Sequence, residues 1–128
     1  MNRQSDNSFP RRLRLTLGRD FLAARRGGVR ASAGPLLVQG IANEAGVTRL
    51  GLSISSRLGT AVARNALKRR LREAFRLTRM EMPQGYDLLI SARAHELLSL
   101  VEYQRLVLEA AGEVDRTWRK KMQRRSKA

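Results

Sequence analysis

The sequence predicts a single α+β domain in which helices pack on one sheet, with elements in the order α-β-β-β-α-β-α. Three observations indicate this fold. The 128 residues, 42% of them hydrophobic, suit one compact domain with a modest core. Residues 48–56 alternate between apolar and small side chains, as in a strand buried on one face. Apolar residues recur at helical spacing in two later segments, which predicts helices that pack on the sheet.

The N-terminal half is predicted to hold one short helix and the first strands. Residues 1–12 are polar and basic, and we expect a disordered arm there. A helix over 18–26 should end at Gly27 and Gly28, because glycine adopts the left-handed cap conformation at little cost. The following segments are predicted as a small-residue loop at 29–34, a strand at 35–41, a turn at 43–46 and a strand at 48–56.

An arginine-rich helix follows the turn at Gly59 and Thr60. On a helical wheel, one side is apolar and carries Ala63, Leu67, Leu71, Ala74, Phe75 and Thr78. The opposite side carries Asn65, Arg69, Arg72 and Arg76, is widened by Lys68 and Arg79, and is flanked by Arg64 and Arg70. The helix is therefore expected to be anchored by one face and to present cations on the other.

This row of cations is almost unbalanced. Glu73 is the only acid between Arg57 and Arg79. Like charges at i, i+4 destabilise a helix by roughly a few tenths of a kcal/mol each. This cost makes a face that is merely solvated a weaker interpretation than a face that binds an anion. An anionic partner would offset the repulsion, and the planar guanidinium fork favours phosphate.

The C-terminal half predicts one strand and one long helix. Pro83 ends the arginine-rich helix, and the apolar run at 86–92 reads as a central strand. Ser99 and Glu102 form a capping box for the last helix. Its apolar stripe comprises Tyr103, Val107, Ala110, Ala111, Val114 and Trp118. Residues 119–128 are predicted as a disordered basic tail that attracts phosphate without specificity.

The charge of the chain indicates its class of partner. Twenty-six Lys and Arg against eleven Asp and Glu give +15 at pH 7, which favours a polyanion and above all nucleic acid. A membrane surface is the competing anion, but the basic helix lacks the large apolar face of an interfacial helix. No stretch is apolar and long enough for a signal peptide or a membrane span. We therefore expect a soluble, cytoplasmic protein.

The residues offer no obvious catalytic constellation. The chain has no cysteine, which excludes disulfides, cysteine-ligated zinc and thiol catalysis. His95, the single histidine, is expected to form an exposed polar pair with Glu96. Asp20 and Asp87 stand alone in the sequence, although they could meet in space. The chain therefore looks like a binder rather than a hydrolase, which would need clustered carboxylates or a paired acid and base.

The segment from Ile54 to Phe75 resembles the bacterial ribonuclease P protein family. Its core is Arg64-Asn65, Lys68-Arg69 and Arg72-Glu73-Ala74-Phe75 at fixed spacing, and the resemblance covers about residues 13–118. It implies a fold like the second domain of ribosomal protein S5, with a four-stranded mixed sheet. It also implies that the strands before and after the helix are parallel neighbours with a left-handed crossover. The general preference is right-handed, so this feature comes from the resemblance alone.

The resemblance also implies a function. Proteins of this family assist a catalytic RNA that removes the 5′ leader from precursor tRNA with Mg²⁺, and no cofactor is expected on the protein alone. By position, the face toward the catalytic RNA would be Arg64, Asn65, Lys68, Arg69, Arg72 and Arg76. The cleft for the single-stranded leader would be lined by Phe21, Arg25, Ser53, Ser55 and Arg57. Neither a small-molecule substrate nor a catalytic side chain is implied.

Three positions depart from the family pattern. Arg25 stands where a second aromatic is usual, the first strand reads Pro35-Leu36-Leu37-Val38 instead of carrying aromatics, and Ala66 replaces a basic residue. These changes weaken base stacking in the cleft and leave the arginine face intact. A ribosomal or RNA-chaperone protein without a role in cleavage is the alternative from the binding class, and a protein-only metal nuclease or a membrane-surface protein is the third.

Overall fold

The computed structural model describes residues 11–127, so most of the predicted N-terminal arm lies outside the described residues. A short 3-10 turn at Arg11–Leu13 opens this part of the chain, and another at Ser56–Leu58 precedes the arginine-rich helix. The predicted order α-β-β-β-α-β-α is confirmed, although the individual segments predicted above include only two of the three strands that precede the arginine-rich helix. The elements are α1 Gly18–Gly27, β1 Val29–Ala33, β2 Leu36–Ala42, β3 Arg49–Leu52, α2 Ala61–Thr78, β4 Tyr86–Ala92 and α3 Leu100–Lys127.

The four strands form one mixed sheet in the order β1-β2-β4-β3. β1 pairs with β2 and β2 with β4, both antiparallel, whereas β3 pairs with β4 in parallel. In that parallel pair Arg49 lies opposite Asp87 and Leu50 opposite Leu88. The strands before and after α2 are therefore parallel neighbours, as the resemblance implies. The left-handed sense of their crossover stays a prediction.

One face of the sheet packs against α2 and α3 and forms the main core. The side chains buried there to 1% exposure or less include Leu36, Val38, Leu88 and Ile90 from the strands, Leu71 and Phe75 from α2, and Tyr103, Val107 and Val114 from α3. The approach of α3 to β2 is close. A Cβ atom built on Gly40 would lie 2.4 Å from Cγ1 of Val114, so only glycine admits the helix at this distance.

The other face of the sheet is only partly covered, by α1. Ala24 of α1, Leu89 of β4 and the preceding Leu15 are buried to 0%, 3% and 5% exposure. Leu37 is exposed, and Gln39 is half-buried. Side chains alternate between the faces of a strand, so these two lie on the same face as Leu89 and leave part of it open beside α1.

Three segments differ from their predictions. Residues 29–33 form a strand, not a loop: Val29, Ala31 and Ala33 are buried, and the residues between them are exposed. β3 ends at Leu52, earlier than predicted, because Ser55 caps the 3-10 turn that follows. α3 continues to Lys127, so the segment expected to be a disordered tail is helical as far as that residue. Lys and Arg are good helix formers, and a charged composition did not indicate disorder here.

Candidate nucleic-acid interface

The turn before α2 fixes where the arginine-rich helix begins. Gly59 has φ = 136°, a left-handed conformation that side chains rarely adopt. Thr60 then caps the helix, because its hydroxyl oxygen accepts a 3.1 Å hydrogen bond from the backbone N–H of Ala63. The cap and the left-handed turn together set the rotation of α2, which decides which side chains face outward.

The apolar side of α2 is buried largely as predicted. Leu67, Leu71, Ala74, Phe75 and Thr78 are all buried. Ala63 was placed on the same side but is exposed, because it lies in the first turn of the helix, beside Thr60. Arg70, on the flank, donates a short hydrogen bond to the carbonyl oxygen of Leu98 and thereby ties α2 to the segment before α3.

The polar side of α2 presents cations to solvent. Asn65, Arg69 and Arg72 are exposed, and their side chains make no hydrogen bond or ion pair with any residue of the described range 11–127. Arg64 is half-buried and donates through Nε to the carbonyl oxygen of Gly59 at 3.3 Å. Lys68 is also half-buried. Positive charge is therefore concentrated along this face without a local carboxylate to neutralise most of it.

Arg76 differs from the other members of the row. Its guanidinium forms a hydrogen-bonded ion pair with the carboxylate of Glu73, one turn back on the helix. The hydrogen bond from Arg76 lowers the pKa of Glu73, so this acid stays charged. Arg76 therefore offers less positive charge to a partner than Arg69 or Arg72 does.

A concave site joins α1, β3 and α2. It has a volume of about 200 Å³. Its lining consists of Arg14, Leu15, Phe21, Leu50, Gly51, Leu52, Lys68 and Arg72. A Cβ atom on Gly51 would lie 2.8 Å from Cδ1 of Leu15 and 3.0 Å from Cε1 of Phe21, so the glycine lets the half-buried ring lie against the strand. The structure thus brings Phe21 to the same concavity as two cations of the polar face of α2.

Arg25 spans the space between α1 and the end of β3. Its Nη2 donates a hydrogen bond of 2.8 Å to Oγ of Ser53, and its carbonyl oxygen accepts one of 3.4 Å from Nε2 of Gln39. Ser53 is held in place by its own backbone N–H, which donates to the carbonyl oxygen of Ile90 at 2.9 Å. Ser55 and Arg57 lie nearby in the sequence and are exposed, with Ser55 Oγ accepting from the backbone N–H of Arg57 at 3.1 Å.

The carboxylates that might have formed a hydrolytic centre are paired with arginine. Nε and Nη2 of Arg49 each donate to Asp87 at 2.8 Å, and Nη2 lies 3.8 Å from Asp20. Asp87 also accepts from Nδ2 of Asn43 at 2.7 Å. Asp20 and Asp87 thus do meet in space, but around a guanidinium. Within residues 11–127 no cluster of three or more His, Cys, Asp or Glu side chains could hold a metal ion.

His95 does not pair with Glu96 as expected. Its Nδ1 lies 2.7 Å from the carbonyl oxygen of Arg93, and its Nε2 lies 2.7 Å from the hydroxyl of Tyr103. A carbonyl only accepts, so Nδ1 is the nitrogen that donates to Arg93, and in the tautomer with its proton on Nδ1 the second nitrogen, Nε2, accepts from Tyr103. Both ring nitrogens are therefore engaged within the fold, and His95 has a structural role.

Comparison with known proteins decides the family. A family model described as Ribonuclease P matches residues 9–120. This chain belongs to the ribonuclease P protein family. The ribonuclease P protein component of Roseiflexus castenholzii is 35% identical over 109 residues, which cover 81% of this chain and 89% of the relative. That of Herpetosiphon aurantiacus is 43% identical over 82 residues, which cover 63% and 66% of the two chains.

Solved structures of ribonuclease P proteins share the fold. The protein from Thermotoga maritima superposes with a TM-score of 0.72 at 28% identity, covering 79% of this chain and 96% of its own. The protein from Staphylococcus aureus superposes with a TM-score of 0.67 at 27% identity, covering 77% and 91%. In this member of the ribonuclease P protein family, no helix within residues 11–127 combines the length and hydropathy that crossing a membrane requires.

Sequence reasoning missed several residues of this ribonuclease P protein surface. Arg14 lines the concavity with Phe21, although the predicted cleft did not include it. Gln39 contacts Arg25 and had no role in the prediction. The strand alternation that buries Val38 and Gly40 could have placed Gln39 on the face of the cleft. No local pattern signals Arg14, because its position depends on the bridge between this residue and Leu50.

Proposed function

We propose that this chain is the protein subunit of ribonuclease P and binds both the catalytic RNA and the 5′ leader of precursor tRNA. The observation that carries the proposal is the continuity of the cationic face of α2 with the concavity beside α1. Arg72 and Lys68 belong to both surfaces. One RNA held along α2 and a single strand held beside α1 would therefore be neighbours.

The catalytic RNA is the partner proposed for the polar face of α2. Guanidinium groups donate two parallel hydrogen bonds to one phosphate, and an amide such as that of Asn65 also reaches base edges and sugar hydroxyls. Neutralising phosphates releases counterions, so this binding should weaken steeply with salt. The residues proposed for this contact are Arg64, Asn65, Lys68, Arg69 and Arg72, with Arg76 as a weaker contributor because Glu73 holds it.

The 5′ leader is the partner proposed for the cleft beside α1. Phe21 offers a partly exposed ring, Arg25 offers a guanidinium, and the small Ser53 leaves room for a backbone. Such a combination of aromatic and cationic groups binds single strands with little sequence preference. Ser55 and Arg57, both exposed, extend the same surface toward α2.

Catalysis is proposed to reside in the RNA. Asp20 and Asp87 both contact Arg49. Two-metal hydrolysis requires carboxylates that are free to bind the metal ions, and neither of these two is free in that way. The Mg²⁺ ions of the ribonucleoprotein would supply charge stabilisation at the scissile phosphate, and the role of this chain is to position the leader and to support the folded RNA.

Reconstitution tests the proposal. Purified chain is mixed with precursor tRNA, alone or together with the catalytic RNA of the same genome, at a Mg²⁺ concentration where that RNA is slow by itself. We expect no cleavage with protein alone and faster 5′ cleavage when both are present. Cleavage by the protein alone would support a protein-only nuclease. Binding to ribosomes without any stimulation of cleavage would support a ribosomal or chaperone role.

A further inference from the structure

A second concavity lies outside the surfaces described so far. It is formed where the N-terminal half of α2 meets the segment 93–97 after β4, and its volume is about 150 Å³. Leu58, Leu67 and Leu97 contribute apolar lining. We call this concavity the loop pocket. Small-molecule sites are usually about 300–1,000 Å³, so the loop pocket suits one flat ring system rather than a whole metabolite.

The polar residues of the loop pocket are basic. Arg64 and Arg93 line it, together with His95. Arg64 uses Nε for the carbonyl of Gly59, which leaves its terminal nitrogens available. The side chain of Arg93 is exposed and makes no ion pair with any residue from 11 to 127. Among the residues that the structure describes, no acidic side chain lines the concavity. An apolar floor with cations at the rim matches a ligand that is flat and apolar at one end and anionic at the other.

Hydrogen bonds within the fold fix the position of His95, which forms one wall of the loop pocket. Tyr103 is fully buried, and its hydroxyl accepts from the backbone N–H of Leu98 at 3.2 Å and donates to Nε2 of His95 at 2.7 Å. Nδ1 of His95 donates to the carbonyl of Arg93. Since both ring nitrogens are used, the imidazole offers the pocket its ring surface and not a hydrogen bond. Unpaired bases stack on His rings and on Arg guanidinium planes in RNA complexes.

The loop pocket adjoins the proposed RNA-binding face. Arg64 lines the pocket and is followed in the chain by the exposed Asn65. The pocket itself lies on the side of α2 that carries Ala63 and Leu67, so Arg64 is the residue that connects it to the polar face, and a nucleic acid that contacts Arg64 reaches the edge of the pocket. We propose that the loop pocket takes one unstacked base of the catalytic RNA and that Arg64 and Arg93 bind the phosphates on either side of it. This inference rests on the proposed function and adds a stacking contact with one base to a face whose arginines are suited to phosphate.

Chemical probing of the catalytic RNA with and without the full-length chain tests this inference. Ala66→Trp fills the pocket, because Ala66 lines it. Val101→Trp is the matched control, because Val101 is 72% exposed and does not line the pocket. With the wild-type chain we expect at least one unpaired base to become protected. Ala66→Trp should lose that protection and bind the RNA about tenfold more weakly, which is about 1.4 kcal/mol, whereas Val101→Trp should behave like the wild type.

Arg93→Ala is the second variant and removes a rim cation without adding bulk. It should reduce the protection of the same base. If Ala66→Trp does not fold, the protection measured with Arg93→Ala tests whether the loop pocket binds a base. If the wild type, Arg93→Ala and folded Ala66→Trp all protect the same base equally, the proposal that the loop pocket binds a base is wrong. If Arg72→Ala weakens RNA binding in that experiment, the proposed function stands even though the pocket fails. A wild-type chain that binds no catalytic RNA would overturn both.

Discussion

Arg25 reaches from α1 to Ser53 at the end of β3 with a hydrogen bond of 2.8 Å. This bond places a cation over the cleft at the position where the family resemblance led us to expect a second aromatic ring. A guanidinium in that place favours the phosphodiester backbone over the faces of bases. Under the proposed function we therefore expect the leader to be held mainly through its backbone, with a phosphate replacing Ser53 as the partner of Arg25.

Phe21→Ala should lower the preference for precursor over mature tRNA only modestly, because Arg25 remains to contact phosphate. We expect a loss of less than tenfold, or about 1.4 kcal/mol. The measurement is the ratio of the two dissociation constants for the reconstituted ribonucleoprotein. Arg25→Ala in parallel should flatten the dependence of precursor binding on salt, which Phe21→Ala should not. A loss well above tenfold for Phe21→Ala would show that stacking dominates.

Arg69→Ala and Arg72→Ala should each weaken binding of the catalytic RNA by about 1–3 kcal/mol, as for a charge-assisted hydrogen bond. Each should also reduce the slope of log K against log salt concentration by about one phosphate contact. Filter binding or fluorescence anisotropy over a salt series measures both quantities. Arg105→Ala on α3 is the control, because it removes one exposed charge that is paired with Glu109. Unchanged affinity and slope in both α2 variants would contradict the assignment of this face.

Asp87→Ala should lower the free energy of unfolding by about 3 kcal/mol, the lower end of the range for breaking a buried ion pair. The Asp87 side chain is 6% exposed and accepts from Arg49 and Asn43. Its loss removes both hydrogen bonds of the Arg49 guanidinium and one of the hydrogen bonds of the Asn43 amide. Urea denaturation provides the measurement. Glu109→Ala, which breaks the exposed pair with Arg105, should cost less than about 1 kcal/mol. Equal losses in the two variants would show that Asp87 is not a stabilising link.

Tyr86 should make stability decline at high pH. Burial, with a further contribution from the 2.6 Å hydrogen bond to Asp115, raises its pKa from 10.0 to about 12. Between pH 10 and 12 the unfolded chain releases this proton and the folded chain keeps it. The free energy of unfolding therefore falls as pH rises through this window, by at most about 3 kcal/mol at about 1.4 kcal/mol per pH unit.

The comparison of wild type with Tyr86→Phe isolates this effect. Burial also raises the pKa of Tyr103, but Tyr103 is present in both proteins and its contribution cancels. Urea denaturation at pH 9 and at intervals up to pH 12 should show a steeper decline for the wild type than for the variant. Parallel curves would mean that the Tyr86 hydroxyl titrates alike in the folded and unfolded states.

Gly40→Ala should destabilise the core by about 1–3 kcal/mol, the usual cost of overpacking, because the new Cβ would meet Val114 at 2.4 Å. Adding Val114→Ala to Gly40→Ala should recover part of the loss, although Val114→Ala alone leaves a cavity. A double-mutant cycle measures the coupling between the two positions. Gly18→Ala is the control, since nothing lies within 4 Å of a Cβ there. Strict additivity at positions 40 and 114 would contradict the close approach.

The parts of the fold that follow from local periodicity were predicted well. The apolar stripe of α2, the capping box at Ser99 and the continuous apolar run of β4 each have a signal within a few residues, and the structure contains all three. β1 was missed because Ala31 and Ala33 have little strand propensity of their own. Its alternating burial arises from pairing with β2, and this contact is not visible in a short window.

The exposed face of α2 was predictable, but its connection to the cleft was not. A helical wheel is enough to place Arg69 and Arg72 together. That Arg72 shares a concavity with Phe21 depends on how α1, β3 and α2 pack, and 51 positions separate the two residues. The same holds for Arg49 between Asp20 and Asp87. Contacts of this kind depend on tertiary arrangement, which neither composition nor spacing encodes locally.

The sheet order carries a consequence for biosynthesis. Within residues 11–127, β3 pairs along its length with β4 and otherwise has only the isolated bridge from Arg14 to Leu50, and β4 is synthesised after α2. When the ribosome has just passed Thr78, α2 has been synthesised but β4 has not. At that stage β3, which forms the floor of the cleft, still lacks the strand that pairs with it. Under the proposed function we therefore expect competence to bind a leader to arise late in translation, once residues 86–92 have emerged and formed the parallel pair with β3.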